Sequence, residues 1–127
     1  MELIENEISY QIRGAAFKVH SALGPGLLES VYETALMFEL RKHGYDVKNQ
    51  IGVPMHYENI KMDIGFRLDL LINDLVIVEI KSVETLADVH HKQLLTYLRL
   101  SNKKLGLLIN FNSLSLKNSI VRIVNNL

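Results

Sequence analysis

Arg67-Leu68-Asp69-Leu70-Leu71-Ile72-Asn73-Asp74-Leu75-Val76-Ile77-Val78-Glu79-Ile80-Lys81 sets ionisable side chains into apolar, strand-like sequence broken by one turn-like pair, Asn73-Asp74. On a strand, side chains two apart share a face, so Glu79 and Lys81 point the same way among Val78, Ile80 and Val83. A carboxylate and an ammonium on a buried strand cost several kcal/mol each unless they are paired or metal-bound. A structural Glu-Lys pair is the default explanation for one such pair alone. The competing explanation is a divalent-metal site.

Register decides whether Asp69 can join Glu79. A two-residue hairpin at Asn73-Asp74 would set Ile72 against Leu75 and Asp69 against Val78, leaving the two carboxylates on opposite sides of the sheet. An odd loop, such as Ile72-Asn73-Asp74 with one left-handed residue, or a bulge, pairs Asp69 with Ile77 and restores a shared face. Turn propensity favours the simple hairpin, whereas the chemistry of a metal site predicts the odd register.

Working outward, apolar residues at Ile8, Ile12, Ala15, Ala16 and Val19 predict an amphipathic helix from Glu5 to about Ala22, broken by Leu23-Gly24-Pro25-Gly26. A second helix is predicted from about Gly26 to His43, with Leu28, Val31, Tyr32, Ala35, Leu36 and Leu40 on its stripe and Gly44 as its stop. Strands are predicted over Ile51 to Tyr57 and Ile60 to Ile72 around a turn at Glu58-Asn59, with Gly65 marking a bulge or a close backbone approach. Leu75 to Lys81 reads as a central strand, Thr85 to Leu100 as a helix, and Leu105 to Phe111 and Ile120 to Val124 as closing strands. The predicted order, ααβββαββ, gives an α/β fold with a mixed central sheet flanked by helices.

The chain of 127 residues is read as one domain, 1-127. It contains no cysteine, so disulfides, thiolate zinc sites and cysteine nucleophiles are excluded, and any metal must be held by oxygen or imidazole. No apolar run approaches the length of a membrane span and the start lacks the basic region of a signal peptide, so a cytoplasmic protein without membrane contact is expected. Lys+Arg and Asp+Glu both number 14, which argues against tight non-specific binding of DNA. It leaves room for a nuclease, because a metal neutralises the carboxylates that bind it.

Two further signals lie on helices. Gln93 and Tyr97 are four apart and so share a helical face, although a Tyr in the core with a Gln at its edge is the simpler reading of that pair alone. Glu29 stands in the first turns of the second helix, where the helix dipole by itself accounts for a carboxylate.

Together these residues resemble the PD-(D/E)xK nuclease superfamily, and more closely its small stand-alone GxxExxY family, over nearly the whole chain. Gly26-Leu27-Leu28-Glu29-Ser30-Val31-Tyr32 matches the naming motif at its fixed positions, although Tyr32, on an apolar stripe, reads as core packing. Asp69 followed by Glu79-Ile80-Lys81 looks like the metal-binding hairpin, and Gln93-Leu94-Leu95-Thr96-Tyr97 resembles the helix motif of RecB-type nucleases. Leu68 stands where the literal Pro of the signature would be. The resemblance implies a restriction-endonuclease-like fold and hydrolysis of phosphodiester bonds, in DNA before RNA, with Mg²⁺ or Mn²⁺. It makes Asp69 and Glu79 direct metal ligands, Glu29 a direct or water-mediated third, and the Ile80 carbonyl a backbone ligand. Lys81 would orient water or contact phosphate, Gln93 would hydrogen-bond the water or a ligand, and Tyr97 would touch phosphate or brace the helix. The rival reading is a non-catalytic binding or assembly module on the same fold. A homodimer would extend a small substrate surface across a two-fold axis.

The histidines offer little metal chemistry. His90 and His91 face different directions on a helix and neither lies four from another histidine, so a solvated or capping role is expected. His20 reads as a helix-terminal histidine stabilised by the dipole, with an approach to the site as the alternative.

Overall fold

Leu23 is the last helical residue of the first element because the next turns of chain need backbone that L side chains adopt at a cost: Gly24 has φ 74° and Gly26 φ 93°. The computed structural model describes residues 4–127. Helix α1 spans Ile4–Leu23 and helix α2 Glu29–Lys42, and Gly44, at φ 88°, closes the second as expected. The second helix starts later than predicted. Leu28 is extended, and the Tyr32 hydroxyl holds the preceding loop by donating to Gly24 O (2.6 Å) and accepting from Leu27 N–H (3.1 Å). Tyr32, Leu36 and Leu40 are buried, whereas Leu28 and Val31, predicted for the same stripe, are exposed.

The remaining elements are β1 (Val47–Tyr57), β2 (Ile60–Ile72), β3 (Val76–Lys81), α3 (Asp88–Ser101), β4 (Leu105–Asn110) and β5 (Ile120–Val124), with a short 3-10 helix over Leu116–Asn118 before the last strand. The strands form one mixed sheet in the order β1-β2-β3-β4-β5, antiparallel except for the β3–β4 pair. A parallel pair needs a crossover, and α3 supplies it. Val76, Val78 and Ile80 pack with Ile12 and Tyr32 beneath α1 and α2, while Ile77 packs with Leu71, Leu94 and Leu98 beneath α3. Apolar on both faces, β3 is the central strand its sequence predicted. Among the described residues no helix is long and apolar enough to cross a membrane.

The β2–β3 turn satisfies both turn propensity and the odd register. Asn73 (φ 50°) and Asp74 (φ 59°) form a tight turn closed by Leu75 N–H to Ile72 O at 3.0 Å, yet the ladder pairs Ile72 with Val76. Leu75 is the extra residue. Continuing the register of Leu70 with Val78 sets Asp69 across from Glu79, two positions from the expected partner Ile77 but on the expected face.

Beyond Leu70 the β1–β2 ribbon turns over as it leaves β3. Val47, Leu70 and Ile72 belong to the α1–α2 core, whereas Ile51, Phe66 and Leu68 pack on the α3 side, and Gln50, at φ 50°, lies at the switch opposite Asp69. Farther out, the ladder shifts register between Val53 and Met55, where a Cβ on Gly65 would lie 2.2 Å from Met55 Cγ. Gly65 marks both a bulge and a close approach.

Candidate active site

Where β2 departs from β3, Ile80 N–H loses its strand partner, and Asp69 Oδ2 accepts it at 2.8 Å. That bond fixes the Asp69 carboxyl at the seam, within hydrogen-bonding reach of Glu79. Glu79 is only 5% exposed. Burial first, then the hydrogen bond and the charge of Asp69, push its pKa up to about 9, against a smaller opposing effect of Lys81. Its Oε1 is buried with no hydrogen-bond partner. A buried acceptor without a donor costs free energy, so this oxygen is poised to receive a proton or a cation.

Glu29 opens α2 and its Oε2 accepts Ser82 N–H at 3.0 Å, while Ser82 Oγ donates to Leu27 O at 2.7 Å. The loop after β3 is thus tied to the loop before α2. Glu29, Asp69 and Ile80 line one polar cavity of about 220 Å³ together with Glu33 and Gln50. Gln50 Nε2 donates to Glu33 Oε1 at 2.7 Å. Among the described residues, however, no three His, Cys, Asp or Glu side chains are grouped to hold an ion. In place of the expected convergence of three carboxylates there is an Asp69–Glu79 pair, with Glu29 sharing a cavity wall with Asp69 and bonded to the Ser82 amide. The side chain of Ile80 belongs to the α1–α2 core, and its N–H is occupied by Asp69.

Lys81 ends β3, half-buried, and its carbonyl accepts from Phe111 N–H at 2.9 Å. Its charge acts favourably on the Glu79 carboxylate. On α3, Gln93 stands one helical turn before Tyr97, whose ring stacks on Phe66 at 4.3 Å between centroids. Burial, then the charges of Glu79 and Asp69, raise the Tyr97 pKa, and Gln93 opposes them. The α3 face therefore brings Tyr97 and Gln93 toward the same carboxyl pair as Lys81. Tyr32 lies elsewhere, fully buried and stacked on Phe111 at 4.5 Å, as core packing that also fixes the loop leading to Glu29.

Three residues of this neighbourhood escaped sequence reasoning. Glu33 was open to it, being one helical turn beyond Glu29. Asn110 also carried a signal, a polar residue closing the apolar run of β4. It is buried, accepts Val83 N–H at 3.0 Å and donates to Val83 O at 2.9 Å, pinning the segment after Lys81. Gln50 carried none, since its position depends on how β1 pairs. The histidines stay outside: His90 Nδ1 accepts Ala87 N–H at 3.0 Å as a helix cap, His91 Nδ1 lies 3.1 Å from Ala87 O, and His20 Nε2 lies 2.7 Å from Ser113 O.

The donor set fits a hard divalent cation. Two adjoining carboxyls, one with an orphaned buried oxygen, offer oxygen ligands and a proton that a cation would displace. A family model described as the PD-(D/E)XK nuclease superfamily matches residues 6–123. No curated protein and no solved structure matches the chain.

Proposed function

We propose that this chain, which belongs to the PD-(D/E)XK nuclease superfamily, hydrolyses phosphodiester bonds of nucleic acid with Mg²⁺ or Mn²⁺, with DNA as the substrate and the cytoplasm as its place. Within the superfamily, Gly26, Glu29 and Tyr32 align it with the GxxExxY proteins, and Gln93 with Tyr97 supplies the RecB-type helix motif. The observation that carries the proposal is the Asp69–Glu79 pair, in which Glu79 is buried and its Oε1 has no hydrogen-bond partner.

A phosphodiester resists attack because its charge repels hydroxide. A bound dication supplies phosphate neutralisation, a more acidic water and a stabilised leaving oxygen. Asp69 and Glu79 would hold it directly, with the Ile80 carbonyl as a backbone ligand and Glu29 as a direct or water-mediated third. Lys81 orients the attacking water or contacts the phosphate. Gln93 holds the Tyr97 hydroxyl toward the carboxyl pair, where it meets a phosphate oxygen or braces α3.

A non-catalytic nuclease-fold module is the second reading, favoured by the engagement of Glu29 with Ser82 and by the lack of a three-carboxylate group among the described residues. Calorimetric titration of Mn²⁺ into wild type and Asp69→Ala, followed by incubation with single- and double-stranded DNA, separates the two. The enzyme reading expects binding and cleavage, both lost in the variant. Metal binding without cleavage of any substrate supports the module.

A further inference from the structure

Asn110 closes β4, and its backbone N–H is anchored to Ser119 O at 3.0 Å. It faces Lys81 in the last pair of the parallel ladder, where Phe111 N–H donates to Lys81 O. Past that bond β3 has ended, and the backbone of Val83 needs partners that are not a strand. The Asn110 side chain supplies both, because a carboxamide offers an acceptor and a donor side by side. Asn112 adds to the hold: its Nδ2 donates to Val83 O at 3.2 Å and its N–H donates to Asn110 Oδ1 at 3.3 Å.

Ser82 thus stands between two residues held by the end of β4, Lys81 through its carbonyl and Val83 through its peptide groups. This fixes the direction of the Ser82 N–H, which meets Glu29 Oε2 at 3.0 Å. A backbone amide donating to a carboxylate is among the stronger hydrogen bonds, and it orients the acceptor. The carboxyl so oriented lines the cavity that Glu29 shares with Asp69.

We infer that Asn110 is a positioning residue for Glu29: it holds Val83, Val83 sets the Ser82 amide, and that amide aims the Glu29 carboxyl for a cation held by Asp69 and Glu79. The inference rests on the metal-binding reading of the site. An asparagine that merely finished the strand would act on Val83 alone, and its loss would not be felt at Glu29.

Amide hydrogen exchange on the metal-free chain reads the first link. In Asn110→Ala the Ser82 amide, whose own acceptor is untouched, should exchange about tenfold faster, the effect of loosening one hydrogen bond, while the Ile80 amide on Asp69 stays protected. Glu29→Ala should free the Ser82 amide and leave Val83 protected. Calorimetry with Mn²⁺ reads the second link. Asn110→Ala should weaken binding about 10- to 100-fold, as loss of a group that orients a ligand does, with no further loss in a Glu29→Ala background. Asn112→Ala, at a half-buried position, removes only the outer bond to Val83 and should show the same changes at smaller size, even if Asn110→Ala does not fold. A Ser82 amide or a Mn²⁺ affinity indifferent to these substitutions overturns the inference alone, as does a loss of affinity that persists in full without Glu29. A wild-type chain that binds no Mn²⁺ overturns the metal-binding reading, and this inference with it.

Discussion

Glu39 and Glu79 are both drawn into the protein, and they meet opposite neighbours. On α2, Glu39 Oε2 lies 3.1 Å from the Lys18 ammonium of α1, and Glu39 is the main cause of a raised Lys18 pKa. On β3, Glu79 meets another carboxyl, Asp69, and remains protonated at neutral pH with a pKa of about 9 despite Lys81 nearby. The structural ion pair offered as the default for Glu79 and Lys81 thus describes Lys18 and Glu39 instead. Burial of a carboxylate does not make a site; burial beside a like charge, with no ion pair to answer it, does.

The widest separation between the two should appear in catalysis. Glu79→Gln removes one ligand charge with little change of shape and is expected to lower metal-dependent cleavage on the order of 10²–10³-fold, the size seen when one preorganised electrostatic contact to the reacting centre is lost. Glu39→Gln should leave the rate within about twofold, as expected of a residue outside the reacting unit. A cleavage time course on linear DNA checks both. Equal losses would erase the distinction.

Stability against pH sharpens the same contrast. Because the folded-state pKa of Glu79 lies above its ordinary 4.5, the folded protein binds more protons than the unfolded chain between about pH 4.5 and 9. Stability therefore falls as pH rises through that window, with a slope approaching about 1.4 kcal/mol per pH unit for one proton. Glu79→Gln should flatten the slope and melt higher than wild type near pH 8, and saturating Mg²⁺ should flatten it by taking the proton's place. Lys18, with its pKa raised, contributes stability that is complete below 10.5 and lost only as pH climbs beyond it. Lys18→Met should lower the melting temperature at pH 7 by less than Glu79→Gln raises it. Urea denaturation at pH 5, 7 and 9 measures the slope, and thermal melts at the same pH values measure the two variants.

Much of this contrast could be read from the chain, and the unread parts share one cause. Ile8, Ile12, Ala16 and Val19 foretold the buried side of α1, and β2 and β5 fall where alternation and apolar runs put them. Local patterns sufficed there because each depends on its own neighbours. The start of α2 did not follow, since the apolar Leu27-Leu28 looked helical while Tyr32, fixed in the core, holds those residues in a loop. The extra residue Leu75, the face switch at Gln50 and the capture of the Ile80 amide by Asp69 depend on where β2 leaves β3, a property of the assembled sheet. The commitment of Glu29 to Ser82, across a separation of 53 residues, is equally non-local.

Tyr97 offers the finest test of the contrast because it senses the carboxyl pair without belonging to it. Burial is the first cause of its raised pKa and the Glu79 and Asp69 charges come next, so Glu79→Gln should lower that pKa while leaving it above the ordinary value. Glu79, with a pKa of about 9, is ionised in the alkaline range where a tyrosine titrates, so the charge removed is one that acts there. Glu39→Gln, on the opposite helical layer, should leave Tyr97 unmoved. Ultraviolet difference titration, with Tyr97→Phe to identify its contribution among the five tyrosines, resolves the shift. If both variants leave Tyr97 where it was, the hydroxyl does not face the pair. Its stacking on Phe66 then explains the residue as core alone, and Gln93 loses its place beside the site.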